Sequence, residues 1–337
     1  MNFIIDIPKK EHLGEDAPPI NISSTNECRS LIAVFDGLGG SGSSLYDEDG
    51  ITHTGAYIAS RQVRETIFTY FKDQMENDEF EISSELIENL KQQIKKELED
   101  KLKKQKFGQS KLKSSLIRTF PTTLALAITN QKQDNIEIDL LWAGDSRVYI
   151  LSPKEGLVQV TKDDLKIDND PFENIENDSP LSNMIHLDDE FTINHTKQKF
   201  EPPFFIIAAT DGCFGYFPTP MHFENLLIDD LSSSNDENEW KEKITSDLKL
   251  VSGDDFSLSL SYIGKDTPNF EAIKTLFRNR QEDLYREYMK DIHDLETKLS
   301  TMKKELKEFE DKRKSLHKSL WERYKSGNYQ CNKIDSQ

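Results

Sequence analysis

Five aspartates lie where apolar segments of the chain end, and their residue type suggests metal chemistry. Asp36 follows LIAVF and precedes Gly37, and Asp211 follows FFIIAAT and precedes Gly212. The other three are Asp16 in GEDA, Asp145 in AGDSR and Asp254 in GDDFS. Each aspartate alone is typical of a turn or a helix cap. Together, without the histidine and thiolate pairs that zinc prefers, they form the oxygen-only set that selects Mg²⁺ or Mn²⁺.

The glycines of the segment DGLGGSG also fit the pattern G-x-G-x-x-G, which in other proteins binds dinucleotides. A dinucleotide loop passes from a strand directly into a helix whose N-terminus faces the pyrophosphate. Here the polar and acidic stretch SSLYDEDGITHTG follows, and helical periodicity begins only near Ala56. The sequence therefore favours a sharp turn that places Asp36 at a strand end over a nucleotide site.

The periodicity of the chain predicts the elements that must position these aspartates. Helix-compatible apolar spacing covers 55–76 and 84–104, and further helical patterns lie at 221–231 and 238–250. Alternating or fully apolar runs predict strands at 31–35, 122–128, 136–144, 147–152, 157–161, 204–210 and 256–263. The polar segment 162–200 is interpreted as a surface excursion. The body therefore combines antiparallel strands with helices.

The C-terminal part of the chain has a different pattern. From Phe277 to Leu320, apolar residues recur in alternating steps of three and four. Several consecutive heptads of this kind predict a coiled coil, about 65 Å long at the helical rise of 1.5 Å per residue. Its apolar seam needs a cover, which is a second copy of the chain, a helix of another protein or the body itself. Self-association or partner docking is favoured over folding back.

The charge and the cysteines restrict the classes of partner. The net charge of the chain is −18. Residues 271–337 contain 16 basic and 13 acidic residues, a net charge of +3, so residues 1–270 have a net charge of −21. Nucleic acid and anionic membranes are poor partners for such a body. Three widely spaced cysteines and the absence of a long apolar run indicate a protein of the reducing cytoplasm without a membrane span.

Seven motifs, taken in order, resemble the metal-dependent protein phosphatase family, the type 2C serine/threonine phosphatases. They are GEDA, AVFDGLGG, TTLALAI, WAGDSRVYIL, VTKDD, IIAATDG and GDDFSLSL. Leu38 stands where animal members of the family have a histidine, and bacterial members often have an apolar residue at this position. The resemblance implies an α+β fold, an α-β-β-α sandwich of two antiparallel sheets flanked by helices, in residues 1–268. A coiled-coil helix at 269–325 and a tail at 326–337 lie outside it.

The resemblance also implies roles for individual residues. Asp36 is similar to the carboxylate that bridges two Mn²⁺ or Mg²⁺ ions, and Gly37 to the residue whose carbonyl binds one of them. Asp211 and Asp254 are similar to further ligands, Asp254 being favoured over its neighbour because the family ligand stands three residues before Ser or Thr, here Ser257. The remaining two roles are those of Asp16, which orients the attacking water, and Asp145, which binds a weaker third ion.

The implied reaction is hydrolysis of phosphoserine and phosphothreonine in proteins, with a phosphoprotein substrate and a cognate serine/threonine kinase as expected partners. Many members have an arginine that grips the phosphate where this chain has Glu11. Lys9, Lys10 and His12 are the remaining candidates to bind the phosphate. The alternative is a regulatory protein with little turnover that acts through its coiled coil. Retention of every metal carboxylate favours the enzyme, because unneeded carboxylates would repel one another.

Overall fold

A computed structural model of the chain describes residues 1–11, 13–25, 28–48, 50–77, 80–107, 117–131, 135–166, 180–264 and 269–326. The chain divides into two compact units, Met1–Glu282 and Asp283–Gln337. In the described ranges, no helix has the length and apolar character that crossing a bilayer requires.

Thirteen strands and seven α-helices form the described part of the chain. The strands are β1 (Asn2–Ile7), β2 (Ala17–Ser23), β3 (Arg29–Phe35), β4 (Leu45–Glu48), β5 (Ile51–Thr54), β6 (Lys106–Phe107), β7 (Leu124–Gln131), β8 (Ile136–Ala143), β9 (Arg147–Ser152), β10 (Gly156–Gln159), β11 (Asn194–Phe200), β12 (Phe204–Ala209) and β13 (Phe256–Ile263). The helices are α1 (Gly55–Lys72), α2 (Ser84–Lys104), α3 (Asp211–Phe214), α4 (Pro220–Ser233), α5 (Glu237–Val251), α6 (Phe270–Leu284) and α7 (Lys290–Lys325). A 3₁₀ turn lies at Gln74–Glu76 and a π-helical turn at Tyr285–Met289.

Two five-stranded antiparallel sheets make the body, and helices cover the outer face of each. The first sheet has the order β1-β13-β12-β9-β10 and the second the order β11-β8-β7-β3-β2. A small sheet of order β5-β4-β6 lies beside them. This arrangement confirms the predicted α-β-β-α sandwich.

Strand β3 shows why the central strands are apolar along their whole length. Leu31, Ala33 and Phe35 join the core formed with α1 and α2. Ile32 and Val34 point to the opposite face and join the core between the two sheets. Because side chains alternate between faces and both faces are covered, every residue of the strand is buried. Such a strand holds the residue at its end, Asp36, in a fixed place.

The helical layer on the first sheet includes part of the C-terminal segment. Trp240 of α5 packs edge-on against Phe3, with ring centroids 5.3 Å apart. Phe277 of α6 stacks on Phe205 at 5.4 Å, and Arg280 makes two hydrogen bonds to the buried Glu224 of α4. The body therefore extends beyond the predicted boundary at residue 268, as far as Glu282.

Two expectations need correction on these grounds. The predicted seam from Phe277 to Leu320 is not one continuous partner surface, because Phe277 is 1% exposed and belongs to the core of the body. The segment 162–200 is not only a surface excursion, since β11 pairs with β8 over Asn194–Phe200. The long C-terminal helix itself is confirmed.

Candidate active site

Four of the predicted aspartates meet at one end of the sandwich because the elements that precede or follow them end there. Asp16 stands directly before β2, Asp36 directly after β3 and Asp145 in the turn between β8 and β9. Asp211 is the first residue of α3, which follows β12. The charge of Asp211 acts on each of the other three carboxyl groups. The structure thus brings together residues that are up to 195 positions apart in sequence.

The electrostatics of this cluster are those of carboxylates held close together in a buried place. Burial, followed by the charge of Asp211, raises the pKa of Asp16 to about 8 and that of Asp145 to about 7. Burial and the charges of Asp211, Asp16 and Asp145 raise the pKa of Asp36 well above its ordinary value. A hydrogen bond between the carboxyl groups of Asp16 and Asp36 accompanies these shifts. Bound positive charge would relieve the repulsion.

The backbone of Asp36 is fixed by two threonines that directly precede β7. The hydroxyl of Thr122 donates to the carbonyl oxygen of Asp36 at 2.6 Å, and the N–H of Thr123 donates to the same oxygen at 2.8 Å. The hydroxyl of Thr123 also accepts from the N–H of Asp36 at 3.2 Å and lies 2.6 Å from that of Ser146. The threonines therefore link the Asp36 loop to the turn that carries Asp145.

The turn around Asp145 is held from both sides. Gly144 has a φ of +104°, which glycine adopts at little cost, and its N–H donates to the carboxylate of Asp164 at 3.0 Å. Arg147 forms an ion pair with Asp163 at 2.6 Å, which gives it a structural role. The Oδ1 atom of Asp145 is buried and has no hydrogen-bond partner among the residues that the structure describes. An oxygen in that state suits a cation ligand.

Glu15 is a residue of this site that the sequence analysis did not single out. Its side chain accepts a hydrogen bond from the Thr54 hydroxyl at 2.5 Å, and its carbonyl oxygen accepts one from Ser60 at 2.5 Å. Burial raises its pKa, opposed by the Thr54 bond and supported by the charges of Asp255 and Asp254. The sequence signal for Glu15 was its position next to Asp16 in GEDA, since the carboxylates of both residues lie in the site.

The glycines of the DGLGG loop allow Glu15 to approach. A Cβ atom on Gly37 would lie 2.3 Å from the Glu15 carbonyl oxygen, and one on Gly39 would lie 1.7 Å from Glu15 Oε2. A Cβ on Gly40 would meet nothing within 4 Å. Two of the three glycines are therefore required by contact with Glu15, not by a nucleotide.

Asp254 lies on the loop before β13 and is exposed there. Its negative charge helps to raise the pKa of Glu15. Its Oδ1 accepts from the N–H of Asp255 at 2.9 Å. Both oxygens of Asp255 are already used, by the N–H of Lys9 at 2.7 Å and that of Glu15 at 2.6 Å. Asp255 therefore anchors the N-terminal segment to the loop, whereas Asp254 is exposed.

The candidate phosphate-binding residues lie on the segment that Asp255 anchors. Lys9 and Lys10 are exposed there, while His12 lies outside the described residues. Arg61 of α1 is a cation that sequence reasoning missed. Its guanidinium donates to the carbonyl oxygens of Gly14 and Glu15, and burial lowers its pKa. It stabilises the backbone that leads into the site.

The donor set fits a hard cation by its chemistry. It consists of carboxylates that repel one another, and it includes the buried Oδ1 of Asp145, which no described residue hydrogen-bonds. Within the described residues, no three acidic, histidine or cysteine side chains converge closely enough to form a finished ion-binding cage. These acidic residues therefore lie around one region, but in the described part of the chain their side chains do not converge on a single point as the ligands of a bound ion do.

Comparisons with known proteins agree with this geometry. The family model described as protein phosphatase 2C matches residues 10–249. Among solved structures, a serine/threonine phosphatase of S. agalactiae is 16% identical with a TM-score of 0.53, over 78% of this chain and 99% of that one. A serine/threonine phosphatase of Mycobacterium tuberculosis is 15% identical with a TM-score of 0.51, over 78% and 98%. A C. elegans sex determining protein is 15% identical with a TM-score of 0.56, over 82% and 67%.

At these identities the structural likeness shows a shared fold. None of the curated proteins compared with the chain by sequence matches it.

Proposed function

Because this chain belongs to the protein phosphatase 2C family, we propose that it hydrolyses phosphoserine and phosphothreonine in proteins at a binuclear metal centre. The observation that carries this proposal is the meeting of Asp16, Asp36, Asp145 and Asp211 at one end of the sandwich. A phosphoprotein is the substrate class, and the kinase that phosphorylates it is a further proposed partner.

The metal ligands we propose are Asp36 and the carbonyl of Gly37 for one ion, and Asp36, Asp211 and Asp254 for the other. Asp145, with its unpaired oxygen, would hold a third and weaker ion. When bound, Mn²⁺ or Mg²⁺ supplies positive charge that acidifies water and neutralises phosphoryl oxygens.

The protein groups then orient the reactants. The Thr210 hydroxyl donates to Asp16 Oδ2 at 3.0 Å, which fixes the carboxylate that positions the attacking water. Thr122 and Thr123 fix Asp36 against the Asp145 turn. Positioning of this kind dominates catalysis of phosphoryl transfer, in which an in-line water displaces the serine or threonine oxygen and no phosphoenzyme forms.

The substrate phosphate, in this proposal, approaches along the segment that contains Lys9 and Lys10. Both ammonium groups are exposed, and hydrogen bonds to Asp255 hold the backbone at Lys9 and Glu15 beside the cluster. Exposed lysines attract phosphate as point charges and lack the forked geometry of arginine. We therefore expect weaker phosphate affinity than an arginine at the position of Glu11 would give.

A second candidate function follows from the residue at position 11. Glu11, in place of a gripping arginine, and the long exposed helix α7 favour a regulatory protein with slow turnover that acts through α7. The two functions differ in whether turnover depends on the carboxylate cluster.

The deciding experiment measures hydrolysis of para-nitrophenyl phosphate and of a phosphothreonine peptide during titration with Mn²⁺ and Mg²⁺. We expect metal-dependent turnover that falls at least a hundredfold in Asp36→Asn and in Asp211→Asn. Asp229→Asn, on the exposed face of α4, is the matched control and should retain full activity. Turnover that persists in excess chelator, or that is equal in all three variants, would contradict the proposal.

A further inference from the structure

The helix α7 presents an apolar face, interrupted at Arg313, which we call the heptad seam. Its members are Ile292, Leu295, Leu299, Met302, Leu306, Phe309, Leu316 and Leu320, and their side chains are 37% to 65% exposed. The helix is 36 residues long and contains no buried residue. Soluble proteins rarely leave an apolar stripe of this length open to water. The seam therefore needs a cover.

The spacing assigns heptad positions along the seam. Ile292, Leu299, Leu306 and Leu320 occupy a positions, and the other four members occupy d positions. Residues that flank the seam alternate in charge from one heptad to the next. The g positions are Asp291, Lys298, Glu305 and Lys312, and the e positions are Glu296, Lys303, Glu310 and His317. Charges at e and g select the partner and the orientation of coiled coils.

We propose that the heptad seam is covered by the same helix of a second copy of the chain, in antiparallel orientation, with the two-fold axis crossing between Lys307 and Glu308. The choice of occupant rests on charge complementarity of the seam with itself. A C₂ dimer of this kind uses one surface patch on both copies.

A parallel dimer in register is disfavoured by the same charges. There each g residue meets the e residue five positions later in the other copy, so Asp291 meets Glu296, and Lys298 meets Lys303. The next two contacts are Glu305 with Glu310 and Lys312 with His317. Every flanking contact therefore joins groups that do not attract, and like charges at these positions destabilise a coiled coil.

An antiparallel dimer centred on Lys304 also fails. In antiparallel pairs g residues face g residues and e residues face e residues, and this centre places Lys298 against Lys312 and Glu305 against its own copy. At the e positions it places Glu296 against Glu310. The full-length apolar overlap is therefore opposed by like charges.

Moving the centre to between Lys307 and Glu308 removes these like-charge contacts, and Lys298 then faces Ser319. Glu305 then faces Lys312, Lys303 faces Glu310, and Glu296 faces His317, each twice by symmetry. Apolar layers remain, with Leu299 opposite Leu316, Leu306 opposite Phe309 and Leu295 opposite Leu320 in the other copy. In the two other layers Arg313 lies opposite Met302 and Arg323 opposite Ile292. The overlap runs from residue 292 to 323, nearly the whole of α7.

Cysteine cross-linking of the full chain tests the orientation and the register together, in a Cys28→Ser, Cys331→Ser background. The variant Glu305→Cys/Lys312→Cys should form a disulfide-linked dimer, because these positions face each other only in the proposed alignment. Within one chain they are seven residues, or about 10 Å, apart and cannot be bridged. Cross-linking by Glu305→Cys alone, or preferentially by Glu305→Cys/Glu310→Cys, would overturn the proposal in favour of the centre at Lys304 or of a parallel dimer.

Charge reversal gives a second measurement, made by light scattering and sedimentation of the full chain. Glu305→Lys should raise the dimer dissociation constant about three- to tenfold, since it converts two attractive contacts into repulsive ones. Adding Lys312→Glu should restore the original affinity. Asp311→Lys, on the outward face of the same turn, is the matched control and should leave it unchanged. A wild-type chain that stays monomeric at tens of micromolar, or a Glu305→Lys chain that dimerises more tightly, would overturn the proposal.

Discussion

Asp254 and Asp255 are adjacent carboxylates with opposite surroundings, and this difference assigns their roles. Asp255 accepts two backbone hydrogen bonds, from Lys9 and Glu15, whereas Asp254 is exposed beside the cluster. The two hydrogen bonds give Asp255 an anchoring role, whereas the charge of Asp254 acts on Glu15. Asp254 therefore remains the ligand that we propose, and the two variants below test that choice.

We predict that Asp254→Asn lowers metal-dependent activity at least tenfold and reduces the stabilisation that Mn²⁺ confers on the folded chain, because a ligand is lost from a site that exists only when folded. Its metal-free melting temperature should stay near that of wild type. Asp255→Asn should instead lower the metal-free stability by about 1–3 kcal/mol, since one of two backbone N–H groups loses its acceptor. Calorimetry with and without Mn²⁺ checks both variants, and the reverse pattern would mean that Asp255 is the ligand.

Gly39 and Gly40 provide a second comparison at neighbouring positions. A Cβ on Gly39 would displace the Glu15 carboxylate, whose Oε2 atom it would approach to 1.7 Å, while a Cβ on Gly40 would enter open space. We predict that Gly39→Ala lowers kcat about ten- to a hundredfold with little change in melting temperature, because the displaced group is a flexible side-chain end. Gly40→Ala should keep wild-type kcat. Equal activity of the two variants would show that Glu15 has no part in turnover.

At the scale of elements, the interior strands of the two large sheets could be predicted from the sequence, and six of the described strands could not. β3, β7, β8, β9, β12 and β13 are apolar runs because each is covered on both faces or paired on both sides. Three of the missed strands, β1, β2 and β11, lie at edges of the large sheets, and the other three, β4, β5 and β6, form the small sheet. An edge strand such as NHTKQKF is polar because one side of it faces water. This segment forms a strand because it pairs with β8. Its own pattern of polar and apolar residues does not indicate that pairing.

The candidate site shows the same division. Its aspartates could be predicted because each stands beside an apolar strand or a glycine. The supporting contacts could not, since Thr210 with Asp16, or Asp255 with Lys9, join residues 194 and 246 positions apart. Long-range hydrogen bonds of this kind follow from the packing of the two sheets.

Helix α4 contains a buried carboxyl group, packed near α5, that makes stability depend on pH. Asp230 is 7% exposed, and its Oδ2 atom has no hydrogen-bond partner within the described part of the chain. Burial, followed by the charge of Asp247, raises its pKa to about 7. Because the folded-state pKa lies above the unfolded value of about 3.9, the stabilising contribution is present below pH 4 and is lost as pH rises through about 7.

We therefore predict that Asp230→Asn stabilises the chain at pH 8 by about 1 kcal/mol and has a smaller effect at pH 5, where the wild-type carboxyl group is largely protonated. Urea denaturation at the two pH values measures the difference. Glu242→Gln is the control, because Glu242 is exposed on α5 and, unlike Asp229, is not one of the charges that shift the pKa of Asp230. A stabilisation that does not grow with pH would contradict the assignment.

At the scale of the whole molecule, α6 belongs to the body in structure although its heptad pattern continues into α7. Ile273 and Phe277 are each 1% exposed, and Arg280 pairs with Glu224, which is only 3% exposed. Removing α6 would uncover the first two and leave Glu224 as a buried charge without its partner. A catalytic unit therefore has to include α6, whereas it need not include α7.

We predict that a chain ending at residue 289 keeps the metal-dependent turnover of para-nitrophenyl phosphate and the melting temperature of the body, yet is monomeric, because it lacks the heptad seam. A chain ending at residue 268 should be less stable by at least about 3 kcal/mol, since it loses the Phe277 contact and the partner of Glu224. Light scattering, urea denaturation and kinetics on the two chains separate these outcomes. If the longer chain were as unstable as the shorter one, or still dimeric, then α7 would contribute to the folding of the body or the seam would not be the dimer contact.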